Sequence, residues 1–147
     1  MAGTTTGTDE GNFTAEERAA MKERAAEVRT SRKRGSKADP EQDLLEKIAE
    51  MPPADRAIAE RVHAIVREHA PSLTPRTWYG QPAYAKDGKV VCFFQAAAKF
   101  GTRYATLGFN DVAELEDGTM WPTAFALTDV TPADEKRIAE LVRRVAG

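Results

Sequence analysis

The sequence predicts an α+β domain in which a mostly antiparallel sheet of four to five strands packs against N-terminal helices and a C-terminal helix. Three observations lead there. Between Asp39 and Pro71, apolar residues recur at helical spacing. From Thr77 to Leu127 the chain turns to β-prone and aromatic runs interrupted by Gly, Pro and Asp-Gly. After Thr131 the helical spacing returns. Helices and strands are thus segregated along the chain, which puts the helices on one face of the sheet.

Taken in order, residues 1–13 are mainly Gly, Thr, Asp and Glu with almost nothing to bury, and disorder is predicted for them. Thr14 and Glu17 make a capping box that starts a helix. Its stripe of Met21, Ala25 and Val28 is thin, so docking stabilises it little. Gly35 to Asp39 reads as a linker, which divides the chain into a basic, partly helical extension (1–38) and a folded domain (39–147). Asp39 is a good N-cap and Pro40 suits the first helical position. Leu44, Leu45, Ile48 and Met51 follow, and Pro52-Pro53 ends that helix and begins the next. The second stripe is Ile58, Val62, Ile65, Val66 and His69, closed by Ala70-Pro71.

Thr77-Trp78-Tyr79 is β-prone, and Gly80-Gln81-Pro82 interrupts it. Ala83 to Lys86 and Lys89 to Gln95 form a hairpin about Asp87-Gly88. Arg103 to Phe109 and Trp121 to Leu127 are two further strands, separated by a polar, acidic stretch from Asn110 to Gly118 that is a loop or one short helix. Thr131-Pro132 then caps a closing helix with Ile138, Leu141, Val142 and Val145 on its stripe.

Composition narrows the function. A chain of 147 residues has the length of one domain. No apolar run approaches the ~20 residues of a membrane span, and the N-terminus lacks the basic start and apolar stretch of a signal peptide. A cytoplasmic protein without membrane partners is predicted. Cys92 is the only cysteine, so no intrachain disulfide exists. A net charge of −2 argues against a dedicated nucleic-acid binder. The run from Arg29 to Lys37 nevertheless carries no acid; it is a solvated tail or a weak contact for a polyanion.

Catalytic signatures are absent: no Walker loop, Gly-x-Ser-x-Gly, His-Glu-x-x-His or Cys-x-x-Cys occurs. His63 and His69 are six residues apart, which on a helix turns them about 120° from each other; His69 reads as a partly buried histidine near a helix end. Cys92 lies in Val-Val-Cys-Phe-Phe, where a buried, inert thiol is expected. Every Trp and Tyr, and every Phe but Phe13, falls between Trp78 and Phe125. Such clustering makes a sheet core, or else a concave pocket with Trp78, Tyr79, Tyr84 or Tyr104 at its mouth. Asp111, Glu114, Glu116 and Asp117 gather four carboxylates in seven residues, either a solvated loop or oxygen ligands for a hard cation.

Tyr79, Gly80, Pro82, Ala83 and Tyr84 match the Tyr-Gly-x-Pro-Ala-Tyr/Phe hallmark of the YdhG-like family of small bacterial proteins, which the chain resembles from about Asp39 to its C-terminus. The Lys99 to Phe109 stretch adds to the likeness, whereas Gln81 stands where many members carry Met. The family is grouped by a domain of unknown function and linked to YjbR- and CyaY-like folds. Some relatives are described as frataxin-like iron chaperones, so the resemblance implies a non-enzymatic binding or adaptor protein that handles iron and passes it to iron-using partners. It fixes no iron ligands; Asp111, Glu114, Glu116 and Asp117 are the candidates. The motif itself supplies neither nucleophile nor base, and a pocket lined by Trp78, Tyr79, Gly80, Pro82, Tyr84 and Tyr104 for a small apolar or aromatic ligand is the alternative, bound for its own sake or as the substrate of an enzyme.

Overall fold

A computed structural model describes residues 14–34 and 39–147. The disorder predicted for residues 1–13 and most of the linker, with the Gly35–Lys37 end of the basic run, lie outside the described residues. The predicted α+β class holds: five helices and one antiparallel sheet of five strands. The helices are α1 (Ala15–Arg34), α2 (Pro40–Ala49), α3 (Pro53–His69), α4 (Ala97–Phe100) and α5 (Pro132–Ala146). The strands β1 (Thr74–Trp78), β2 (Gln81–Lys86), β3 (Lys89–Gln95), β4 (Ala105–Phe109) and β5 (Ala124–Leu127) form a meander in sequence order. No helix among the described residues is long and apolar enough to cross a membrane.

The helix ends are capped as the sequence predicts. Asp39 accepts hydrogen bonds from the Glu41 and Gln42 amides, and Thr131 pairs with Asp134 in a reciprocal capping box. Thr14 and Glu17 make the other predicted box, at 3.0 and 2.8 Å. The face by which α1 docks differs from the predicted stripe. Met21 and Ala25 are exposed, whereas Ala20 is buried and Glu23 and Glu27 are half-buried. With so little apolar surface, polar contacts decide how this helix is turned.

Register sorts the sheet residues onto two faces, since directly opposed residues share a side. Tyr84, Cys92 and Phe109 lie in one row and Phe94 and Leu107 in the next, all buried beneath α2, α3 and α5. The opposite face carries Arg76, Ala83, Phe93, Gly108 and Ala124 across all five strands. Trp78 packs there on Phe93 at 5.1 Å, and the Phe93 ring occupies the space a Cβ would need at Gly108.

Strand boundaries shift from the sequence expectation, β1 beginning at Thr74 rather than Thr77 and β4 at Ala105 rather than Arg103. What reads as an interruption at Gly80-Gln81-Pro82 is a two-residue hairpin turn, Tyr79-Gly80, with Gln81 already paired to Trp78. Pro82 is admitted to β2 because Thr77↔Pro82 follows the hydrogen-bonded pair at the turn, and the ladder to β3 begins only at Ala83. β5 starts at Ala124 rather than Trp121, since Pro122 has no amide to donate. Of the two expectations for Asn110 to Gly118, a loop or one short helix, the loop is found, with Ala113 and Leu115 anchoring it in the core.

Every member of the central hydrophobic cluster lies between Leu44 and Val145, and α1 contributes none among the described residues. Removal of residues 1–38 should therefore leave the domain folded. Its melting midpoint should move by no more than about 3–6 °C, the effect of ~1 kcal/mol in a domain of this size. An insoluble or unfolded truncation would place α1 within the core after all.

Candidate functional site

The site begins with a backbone conformation. Tyr79 and Gly80 both take positive φ, 55° and 74°, as a tight hairpin turn between right-twisted strands requires. Glycine adopts this without strain; tyrosine does so at a cost that the surrounding packing must offset. Tyr79 packs edge-on against Trp78, with ring centroids 4.9 Å apart. The turn leaves the Gly80 amide pointing away from the sheet, where Glu27 Oε2 of α1 accepts its hydrogen bond at 3.2 Å.

Two lysines converge on the same spot. The Glu23 carboxylate of α1 sits over Gly80, accepting from Lys99 Nζ at 3.0 Å and from Lys47 Nζ at 3.3 Å. A Cβ at Gly80 would overlap that carboxylate and the Lys99 ammonium, so any other residue there would push these side-chain ends aside. Lys47 comes from α2 and also faces Glu50 at 3.7 Å. Burial pulls the Lys47 pKa down, but Glu23, Glu50 and Glu27 together outweigh it and hold it above the usual lysine value. Lys99 is placed less directly. Asp55, buried in the first turn of α3, accepts from the Ala97 and Ala98 amides at 3.0 and 3.1 Å and so fixes the four-residue α4 that carries Lys99.

Beside these groups lies a cavity of about 240 Å³ with apolar walls from Met51, Pro52, Phe94 and Ala98. Gln81 lines it too, its Nε2 donating to the Trp78 carbonyl at 3.4 Å while its buried Oε1 has no partner. Glu27 Oε1 is likewise buried and unpaired. The arrangement is an anion cradle: two ammonium groups and one amide N–H around one point, next to an apolar hollow with a spare acceptor.

The residues expected to line one pocket are divided. Gly80 is the floor of the cradle, and Tyr79 lines a separate cavity of about 490 Å³ with Ala20, Met21 and Phe100. Trp78 covers the outer sheet face on Phe93. Pro82 and Tyr84 are fully buried, and Tyr104 is exposed with the Arg103 guanidinium 5.7 Å above its ring. Asp111, Glu114, Glu116 and Asp117 all stand exposed on the loop after β4. Among the described residues no group of three or more His, Cys, Asp or Glu side chains is drawn together as a metal site.

A second polar cluster runs from the core at Tyr84 to the surface at Glu41 and Arg67. Tyr84 Oη lies 2.9 Å from His63 Nδ1, and His63 Nε2 lies 3.0 Å from Glu41 Oε2, which also meets Arg67 Nε at 3.3 Å. Burial lowers the His63 pKa, and the Glu41 hydrogen bond opposes this without overcoming it. The neutral ring then has one tautomer that suits both neighbours: Nε2–H donates to the carboxylate, and Nδ1 accepts from the tyrosine hydroxyl. Burial, with smaller contributions from Cys92 and Glu41, raises the Tyr84 pKa well above 10, and burial pushes the Cys92 thiol up to about 12. Tyr84 and Cys92 have no exposed surface, so this chain ties β2 to α2 and α3 instead of meeting a substrate.

The linkage has a definite sign. A histidine whose folded pKa lies below its unfolded value of 6.5 contributes stability above that pH, which is lost as pH falls through the folded pKa. Denaturation midpoints of the parent should thus fall below pH 6.5, with this residue adding at most about 1.4 kcal/mol per pH unit. His63→Gln should flatten that slope between pH 7.5 and 5; equal slopes would remove His63 as the cause.

Glu23, Glu27, Lys47, Asp55 and Lys99 were not singled out from sequence. The signal available was the thin apolar stripe of α1, which leaves the Glu23 and Glu27 pair, one helical turn apart, to hold it. Compared with protein-family models, curated proteins and solved structures, the chain matches none.

Proposed function

We propose that this chain is a non-enzymatic binding protein for a small organic anion, held at the Tyr79–Gly80 turn. The observation that carries the reading is the convergence of Lys47 Nζ, Lys99 Nζ and the Gly80 amide on carboxylate oxygens, over a glycine whose Cβ position the Glu23 carboxylate occupies. A carboxylate or phosphate group of the ligand takes that position. Its apolar body fills the hollow of Met51, Pro52 and Phe94, and a donor on it reaches Gln81 Oε1. Binding rather than catalysis is favoured because Cys92 and Tyr84 are fully buried, and both ring nitrogens of His63 are engaged, by Tyr84 and Glu41. The YdhG-like resemblance is compatible with this reading, since its hallmark includes the turn. Iron handling rests on that resemblance alone.

The test is a titration of the full chain with phenyl phosphate, followed by the amide resonance of Gly80. Saturable shifts at Gly80 and in Lys99 are expected, and Lys99→Met, which keeps the stem but not the charge, should abolish them. Shifts that persist in Lys99→Met, or none at all in the parent and in Glu23→Gln/Glu27→Gln alike, would reject the site.

A further inference from the structure

Helix α1 is attached in an unusual way. Ala20 is its one buried residue among those whose side chains are described, and Met21 is exposed. It is tied to the turn by the Glu23 carboxylate between Lys47 and Lys99, and by the Glu27 carboxylate on the Gly80 amide. These are the same three donors that an anionic ligand would use. The helix therefore cannot be in place while a ligand anion occupies the cradle, and the two compete for identical hydrogen bonds.

Resting on the binding reading above, we propose that α1 is a built-in pseudo-ligand: its Glu23 and Glu27 side chains mimic the anionic group, and binding of the true ligand releases the helix. The connection makes this effective. Only five residues separate Arg34 from Pro40, so the carboxylates are presented at an effective concentration on the order of millimolar. A free anion with the same intrinsic affinity must exceed that level, and the apparent affinity of the whole chain is lowered by the fraction of time the cradle is open. Ala20 is the one buried apolar side chain among those of α1 that are described, so the apolar contact they supply to hold the helix without these bonds is small. Release then converts occupancy of a small site into detachment of a 20-residue helix bearing the basic run from Arg29.

The experiment uses the full chain in three forms: parent, Glu23→Gln/Glu27→Gln, and Glu114→Gln/Asp117→Asn as a control with the same change in net charge. Phenyl phosphate affinity is measured for each, together with backbone ¹⁵N relaxation of α1. The expected result is at least about tenfold tighter binding by the Glu23/Glu27 variant alone, with α1 of the parent becoming mobile on saturation. Equal affinities in parent and Glu23/Glu27 variant, or an α1 that stays rigid when the parent is saturated, would overturn the pseudo-ligand and leave the anion site standing. A gain matched by the control would reduce the effect to net charge and also overturn it. Absence of binding by every form, or binding by the Glu23/Glu27 variant that survives an added Lys99→Met, would overturn the site itself and the helix proposal with it.

Discussion

Phe94→Ala should lower the melting midpoint by roughly 10–25 °C, from a loss of about 3–5 kcal/mol at a fully buried aromatic position. Phe94 is 1% exposed at the middle of the sheet, opposite Leu107 and within the central cluster. The cavity left behind cannot close cheaply, because β3 is paired on both sides and its backbone is not free to collapse inward. Phe94 also walls the hollow beside Gly80, so the variant should lose discrimination for the ligand body before it loses the anion. Thermal melts of parent and variant decide the first point. A shift of less than about 5 °C would mean that the strand can repack, contrary to its two-sided pairing.

Gly80→Val is the second large effect, and its cost has two parts. A β-branched residue at φ 74° is strained by about 1–3 kcal/mol. Its Cβ also lands on the Glu23 carboxylate, which must leave the lysines, so α1 should detach. Gln81→Met, one position along, should by contrast be neutral or slightly stabilising. It discards a weak 3.4 Å bond to Trp78 and a buried Oε1 that has no partner, and it keeps the length of the side chain in an apolar surround. Denaturant unfolding of the two variants, read with the mobility of α1, tests both claims. Similar stabilities would show that the turn tolerates a side chain, and a clear loss in Gln81→Met would show that its amide is satisfied in solution.

Much of the fold was legible because its signals are local. Asp39-Pro40 and Thr131-Pro132 mark helix starts through a side-chain oxygen and a fixed proline φ, Pro52-Pro53 through the proline φ alone, and each stands where a helix begins. Asp87-Gly88 marks a hairpin for the same kind of reason, its dihedrals set within two residues. The Gly80 region was seen as special but misread in kind. Tyrosine at positive φ is not a turn signal, and Pro82 normally argues against a strand interior, so the sequence pattern broke where the ladder in fact continues.

The site was the least legible part. Glu23 and Lys99 are 76 residues apart, Lys47 lies on a third helix, and Asp55 reaches α4 from 42 residues away. On a linear reading each is one charged residue among many, indistinguishable from a solvated one. The aromatic clustering was visible, yet which rings line a pocket depends on strand register, and register buried Tyr84 while leaving Tyr104 exposed.

By itself, then, the sequence determined the class, the order of helices and strands, the burial of Cys92 and the thinness of the α1 stripe, since each follows from spacing, capping or turn chemistry within a few residues. Only the tertiary structure decided that α1 lies on the Tyr79–Gly80 turn, that two lysines meet there on one carboxylate, and that His63 faces inward to Tyr84 and Glu41. The physical reason is that electrostatic and hydrogen-bond partners are chosen by distance in space, and that distance is set by sheet register and helix packing over the whole domain.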